Sequence, residues 1–211
     1  MTTEQLRHRM PPILKALKER SLRGRTPVEG LRRTECAYHG WDTVHADAAS
    51  WEPFAPGDAF GGLEAHHCFK GTVTLPEASA GKRVVCLVST GASDIWNNNN
   101  PQFLAYVDGR LVCGLDVNHN EFDLAACAVP GESHELALYV YCNTPARDVF
   151  LRVETAERDD DVTGLYYDLR APYEVCALLA DDDTRAIGIM KHLNRALNLL
   201  DLRDLDSGAF A

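Results

Sequence analysis

Gln102-Phe103-Leu104-Ala105-Tyr106-Val107-Asp108-Gly109-Arg110-Leu111-Val112-Cys113 is the stretch whose reading decides the fold. Two β-forming runs, 102–107 and 110–113, flank the dipeptide Asp108-Gly109. That dipeptide favours the positive φ values of a two-residue type I′ turn, so a hairpin is predicted.

Outward from the hairpin, further strands are predicted on both sides. Residues 67–75 alternate, with Phe69, Val73 and Leu75 on one face and Lys70, Thr72 and Thr74 on the other. Leu75-Pro76-Glu77 ends that run. Residues 83–88 form a short continuous apolar strand, and 135–142 and 148–154 give two more, split by Asn143-Thr144-Pro145. Short strands separated by turn chemistry predict a mainly β protein built as an antiparallel sandwich.

The flanks read differently. Leu6, Met10, Ile13, Leu14 and Leu17 recur at helical spacing, but Pro11 and Pro12 interrupt them. A helix is therefore expected to start at Pro12 and stop near Gly24. Residues 36–66 lack a period yet hold Trp41, Trp51, Phe54 and Phe60 among Gly and Pro, which predicts an ordered connection. After residue 160, Pro172 is expected to open a short helix through Leu179. Asp183 or Thr184 then caps another helix, with Met190, Leu193, Leu197 and Leu200 on one stripe. The expected organisation is a helical arm (1–35), a sandwich (36–160) and a helical segment (161–211).

The 211 residues are enough for a real core. Lys and Arg number 21 against 31 Asp and Glu, a net charge of −10, which argues against general nucleic-acid binding. The charge is uneven: residues 1–33 hold nine Lys/Arg and three Asp/Glu. A basic arm resting on its own acidic body accounts for that. Seven cysteines, none in a CxxC pair, suit small core residues in a reducing compartment. Without a signal-peptide pattern or a bilayer-length apolar run, a cytoplasmic location away from membranes is expected.

Candidate site residues fall in four places. His66 and His67 are adjacent on a strand and point to opposite faces, so they do not share a metal; His66 and Cys68 share a face, but two ligands are too few. His45-Ala46-Asp47 lacks a third ligand and reads as a solvated turn. Between Asp94 and Gln102, Trp96 with a run of Asn suits a sugar, the indole covering a ring face and the amides of Asn100 and Gln102 bonding hydroxyls. A turn-rich Asn loop is the competing reading. Asp116, Asn118 and His119 follow a hairpin strand at a sandwich end, where loops often carry function. An Asx-type turn with a satisfied His is the competing reading there. The triple-Asp runs 159–161 and 181–183 read as solvated turns, and no dinucleotide, Walker or nucleophile-elbow motif occurs.

Several stretches, taken in order, resemble the N-terminal domain of family 38 glycoside hydrolases, the α-mannosidases. They are Trp51 to Gly62, Phe69-Lys70, Leu75-Pro76, Gly81 to Val85, Thr90-Gly91, Pro101 to Gly109, Gly114 to His119 and Arg195 to Arg203. Where the family has Trp before the Gly pair, this chain has Phe60. The resemblance implies a galactose-binding-like jelly-roll sandwich with flanking helices. It also implies that the family's His-x-His-x-Asp zinc motif and Asp nucleophile lie in a catalytic domain beyond this chain. No catalytic residue, metal site or cofactor is therefore expected here, and zinc is expected in that missing domain.

The expected role is a noncatalytic module that packs on the catalytic domain of the same polypeptide and borders its active site. Asp116, Asn118, His119, Trp96, Asn100 and Gln102 are the residues expected to touch α-mannoside or hold the domain contact. The full-length enzyme would be a candidate homo-oligomer. Two rival classes are a free-standing carbohydrate-binding module and a small complete enzyme using His66, Asp116 or His119.

Overall fold

The computed structural model describes residues 3–91, 101–143, 149–180 and 182–200. In chain order the helices are α1 (Thr3–Arg20), α2 (Asp160–Ala177) and α3 (Thr184–Leu197). The strands are β1 (Leu22–Pro27), β2 (Leu31–Cys36), β3 (Glu52–Phe54), β4 (Ala59–Phe60), β5 (Ala65–Thr74) and β6 (Arg83–Ser89). They continue with β7 (Gln102–Val107), β8 (Arg110–Leu115), β9 (Glu121–Ala125), β10 (Ser133–Cys142), β11 (Val149–Phe150) and β12 (Arg152–Arg158). Gly24–Glu157 form one compact unit; the stretches ending at Arg23 and beginning at Arg158 form another.

The strand unit is the expected antiparallel β-sandwich. One sheet has the order β1-β12-β6-β9 and the other β3-β2-β5-β10-β7-β8, with β11 and β4 as a short extra pair. Neighbours far apart in sequence, such as β5 beside β10, mark the crossovers of a double-sheet fold. Alternation on each strand supplies the core. Phe69 and Val73 of β5, Leu136, Leu138 and Val140 of β10, and Phe103 and Ala105 of β7 join Val84, Cys86, Val88, Phe122 and Val153 of the opposite sheet. Each large apolar side chain buried this way stabilises by roughly 1.5–3 kcal/mol.

The hairpin forms as its sequence dictates. Asp108 and Gly109 have φ of 51° and 74°, and Val107 pairs with Arg110 across them. Asp108 does more than turn the chain: its Oδ1 accepts the Glu135 N–H at 2.9 Å and its Oδ2 lies 2.8 Å from His134 Nδ1. Those bonds hold its carboxyl below the ordinary range, the His134 contact being the main cause. A β-bulge shifts the register between Ala105 and Tyr106 and leaves Val112 unmatched and exposed.

The 36–66 connection is ordered, as its aromatics predicted. It holds a short 3-10 turn (Gly40–His45), β3 and β4. Phe60 sits edge-on to Phe54 and Phe69, with centroids at 6.3 and 5.0 Å, and to His67 at 5.5 Å. The position where the family resemblance has Trp is therefore a fully buried ring in the sandwich core.

Several elements differ from the sequence reading. The first helix starts at Thr3, ends at Arg20 and runs through Pro11 and Pro12. A proline at 11 cannot donate to the Arg7 carbonyl, and the Tyr173 hydroxyl donates to that oxygen instead at 3.3 Å. Packing also outweighs the break: Leu6, Met10, Ile13 and Leu17 are buried with Val162, Leu169, Met190 and Leu193. Similarly, α2 starts at Asp160 and continues through Pro172, rather than opening there. Asp159, which read as part of a solvated turn, starts α2, its side chain accepting the Val162 N–H; Asp183 caps α3 as expected, accepting the Arg185 N–H. Strands β1 and β2 carried no clear alternation and were not predicted; β9, whose Phe122 and Leu124 alternate with Glu121 and Asp123, was overlooked, and Lys70, expected on a polar face, is buried. The run predicted as 148–154 is divided into β11 and β12, with residues 144–148 outside the described set.

Tyr173→Phe tests the proline repair. The variant should lose about 0.5–1.5 kcal/mol, since one carbonyl loses its donor, read as a lower urea midpoint at unchanged slope. An unchanged midpoint would show that the hydroxyl adds nothing.

Candidate functional site

Strand pleating gives the six-stranded sheet an outer face distinct from its core face. Pairing register fixes which residues meet there. Gln102 on β7, Tyr141 on β10, His66 on β5 and Cys36 on β2 form one cross-strand file. Leu104, Tyr139, Cys68 and Thr34 form the next. The 3-10 turn and the segment after it cover part of this face, Val44 and Trp51 packing with Cys68, Tyr106, Ala137 and Tyr139. Lys70 ties the covering segment down: its Nζ donates to the Ala46 carbonyl at 2.9 Å and lies 3.1 Å from Glu135 Oε1.

The uncovered end is aromatic. Tyr139 Oη and His66 Nδ1 are hydrogen-bonded at 2.8 Å, with the rings stacked at 5.7 Å. Tyr38 and Tyr141 flank His66 at 5.5 and 5.2 Å, and Trp41 meets Tyr139 edge-on at 6.3 Å. Tyr38 and Trp41 are 71% and 41% exposed, so this end presents rings to solvent. Burial, and then the nearby His39, push the His66 pKa below its ordinary 6.5. Folded chain then binds fewer protons than unfolded chain just below pH 6.5. The His66 contribution to stability is therefore present above that value and is lost as pH falls through the window. An NMR titration of the imidazole should place its midpoint below 6.5; a midpoint at or above it would show that the ring is solvated.

Asp116, Asn118 and His119 form the turn between β8 and β9. Asp116 Oδ1 accepts the N–H groups of Asn118 and His119, both at 2.7 Å, and the Asp116 N–H donates to the His119 carbonyl at 3.0 Å. This is the Asx-type turn that competed with the binding reading. The His119 N–H is the main reason the Asp116 carboxyl lies below the ordinary range. His119 Nδ1 is 3.3 Å from Asp116 Oδ1, while its side chain stays 82% exposed. The turn thus fixes the backbone and leaves Asn118 and His119 open to solvent.

Gln102 and Asp116 meet at one hollow. It measures about 360 Å³ and is lined in part by Gln102, Leu104, Gly114, Asp116, Tyr139 and Tyr141. Two tyrosines, Gln102 and Asp116 in one lining combine apolar and hydrogen-bonding residue types. A hollow of about 420 Å³ elsewhere on the sandwich has a wall that is mostly aliphatic and prolyl, including Pro27, Val28, Phe54 and Leu151. Trp96 and Asn100 lie outside the described residues. Tyr139 and Tyr141 are the neighbours that sequence reasoning missed, because strand register brings them beside Gln102; His66, weighed only as a metal ligand or catalytic group, joins them on the same face.

Among the described residues, no three His, Cys, Asp or Glu side chains are placed to hold a metal ion. His45 packs against the Tyr106 ring at 6.1 Å, and Asp47 accepts the Ala49 N–H in a local turn. His67 lies on the core face, its Nε2 3.2 Å from the Gly61 carbonyl oxygen, opposite to His66. No helix among the described residues is long and apolar enough to cross a membrane.

The fold defines a β-sandwich module accompanied by helices. No protein-family model and no curated protein matches the chain. Solved structures similar to part of it include a Bacteroides uniformis β-glucuronidase, at 11% identity and a TM-score of 0.46, over 64% of this chain and 18% of that one. A Ruminococcus gnavus β-glucuronidase is similar at 8% identity and a TM-score of 0.47, over 64% and 29%. One from Faecalibacterium prausnitzii stands at 14% and 0.41, over 64% and 32%. The chain spans less than a third of the length of these glycoside hydrolases.

Proposed function

We propose that this chain is the noncatalytic β-sandwich module of a glycoside hydrolase of the α-mannosidase type. It packs on a catalytic domain of the same polypeptide, and the end carrying the Asp116 turn borders the active-site cleft. The observation that carries this reading is the hollow where Gln102 and Asp116 meet Tyr139 and Tyr141. The tyrosine faces suit the C–H face of a sugar ring, and the amide and carboxylate suit its hydroxyls. The ordered family resemblance supplies the sugar: Pro101 to Gly109 and Gly114 to His119, its strongest stretches, hold β7, the last two residues of β8 and the turn after it, which frame the hollow. Zinc and the nucleophile belong to the catalytic domain, where a retaining mechanism would run through a covalent glycosyl intermediate.

The test has two arms. The purified chain, assayed on an aryl α-mannoside with and without zinc, should be inactive; turnover would overturn the noncatalytic assignment. In the full-length enzyme, His119→Ala should lower turnover or stability, and no change in either would remove the turn from the cleft border. Titration of α-mannobiose into the chain alone decides between a module that depends on its catalytic domain and a free-standing carbohydrate-binding module. Saturable shifts at Gln102 and Tyr141 would favour the free-standing form.

A further inference from the structure

Two thiols meet on the outer face of the six-stranded sheet. Cys36 Sγ and Cys68 Sγ are 3.7 Å apart, on the paired strands β2 and β5. A disulfide bond is about 2.05 Å long, so closing it requires the sulfurs to approach by about 1.6–1.7 Å. Cys36 is the last residue of β2, beside the turn in which the Gly40 N–H donates to the Ala37 carbonyl. A strand end beside a turn can move by that amount without breaking the sheet ladder. Cys68 is held in mid-strand and fully buried, whereas Cys36 is half-buried.

We propose that Cys36 and Cys68 form a reversible disulfide, with Cys36 as the attacking thiol, Cys68 as the resolving thiol and a low-molecular-weight disulfide as oxidant. Access and charge assign the roles. The thiol–thiol contact with Cys68 draws the Cys36 pKa below its ordinary value, while the same contact and then burial push the Cys68 thiol up. In the first step the Cys36 thiolate attacks one sulfur of the small disulfide. The Cys36–S bond forms, the small S–S bond breaks, and one small thiolate leaves and takes a proton from water. In the second step Cys68 Sγ attacks Cys36 Sγ, and its proton passes to the second departing small thiolate. Two protein thiols are oxidised and one small disulfide is reduced to two thiols.

The bond would staple β2 to β5 and close the loop holding Tyr38, Trp41 and the covering 3-10 turn. It would thereby fix the segment that borders the aromatic end of the face. The remaining cysteines offer internal comparison: Cys86 and Cys142 are buried with thiols pushed up to about 12, and Cys127 is exposed.

The whole chain is incubated with oxidised glutathione, alkylated with iodoacetamide and peptide-mapped by mass spectrometry. A linked Cys36–Cys68 peptide that dithiothreitol reverses is expected, together with a higher melting temperature. Cys68→Ser should stop at a glutathione adduct on Cys36. Accumulation of that adduct in the unsubstituted chain, or full alkylation of both residues after oxidation, would overturn the proposal. Because the decisive peptide map uses the unsubstituted chain, misfolding of a variant does not rescue or sink it.

Discussion

Phe69→Ala is expected to remove about 3–5 kcal/mol of stability, the range for deleting a fully buried aromatic ring. Phe69 is 0% exposed and lies edge-on to Phe54 at 4.8 Å and to Phe60 at 5.0 Å. The loss has two parts: the transfer of the ring out of water, and the cavity left where two other rings met it. Neighbours cannot collapse into the gap freely. β5 is pinned on both edges, with Phe69 paired to Leu138 on β10 and to Arg33 on β2. Urea unfolding of the strand unit should show a lower midpoint at unchanged slope. Phe69→Leu keeps most of the volume and should fall by less, roughly 1–2 kcal/mol. A drop under about 1 kcal/mol for the alanine variant, far below the usual range for a buried ring, would mean that the three phenylalanines are not the centre of the sandwich.

That core was legible in sequence where local chemistry and period agreed. Asp108-Gly109 takes the positive φ pair that its residue types favour, and Phe69, Val73 and Leu75 are buried on one face as their alternation predicts. Helix stripes were equally legible, Met190, Leu193 and Leu197 being buried together. Two of the misreadings share one cause, which is that long-range contacts compensate for local penalties. Pro11 sits inside α1, where Tyr173, 166 residues from Arg7 in sequence, supplies a donor to the Arg7 carbonyl. Lys70 reads as a surface residue but finds the Ala46 carbonyl and Glu135. In β2, Leu31 is buried while Arg32, Arg33 and Thr34 are half-buried, so no clean alternation marks the strand.

The candidate site divides along the same line. Asp116, Asn118 and His119 were visible as a polar cluster after a hairpin strand, and of their two readings the Asx-type turn is the one the geometry shows. The Asp116 carboxylate is engaged in the turn, and that engagement presents Asn118 and His119 to solvent. Gln102 was also visible, but its neighbours were not. The file from Gln102 through Tyr141 and His66 to Cys36 joins residues from four strands, and only pairing register could align them. No local signal in Tyr139 or Tyr141 distinguishes them from other strand tyrosines.

Tyr139 is where stability and the proposed site meet, and Tyr139→Ala is the second large effect. Its ring is 7% exposed, stacks on His66 at 5.7 Å, and packs with Trp41 at 6.3 Å. Losing it should cost about 3–5 kcal/mol, as for other buried aromatics. Tyr139→Phe separates ring from hydroxyl: it leaves His66 Nδ1 without the 2.8 Å partner and should cost about 1–3 kcal/mol, the penalty for stranding a buried polar atom. The two variants differ in function as well. Alanine removes a ring wall from the hollow shared with Gln102, Tyr141 and Asp116, so in the full-length enzyme, where the proposed module meets saccharide, saccharide-dependent shifts at Gln102 should vanish. Phenylalanine keeps that wall and should keep the shifts. A phenylalanine variant as unstable as the alanine one would assign the whole effect to the hydrogen bond. Shifts that survive in a folded alanine variant would move the saccharide away from the hollow and leave Tyr139 as a packing residue between the sheet and its covering segment.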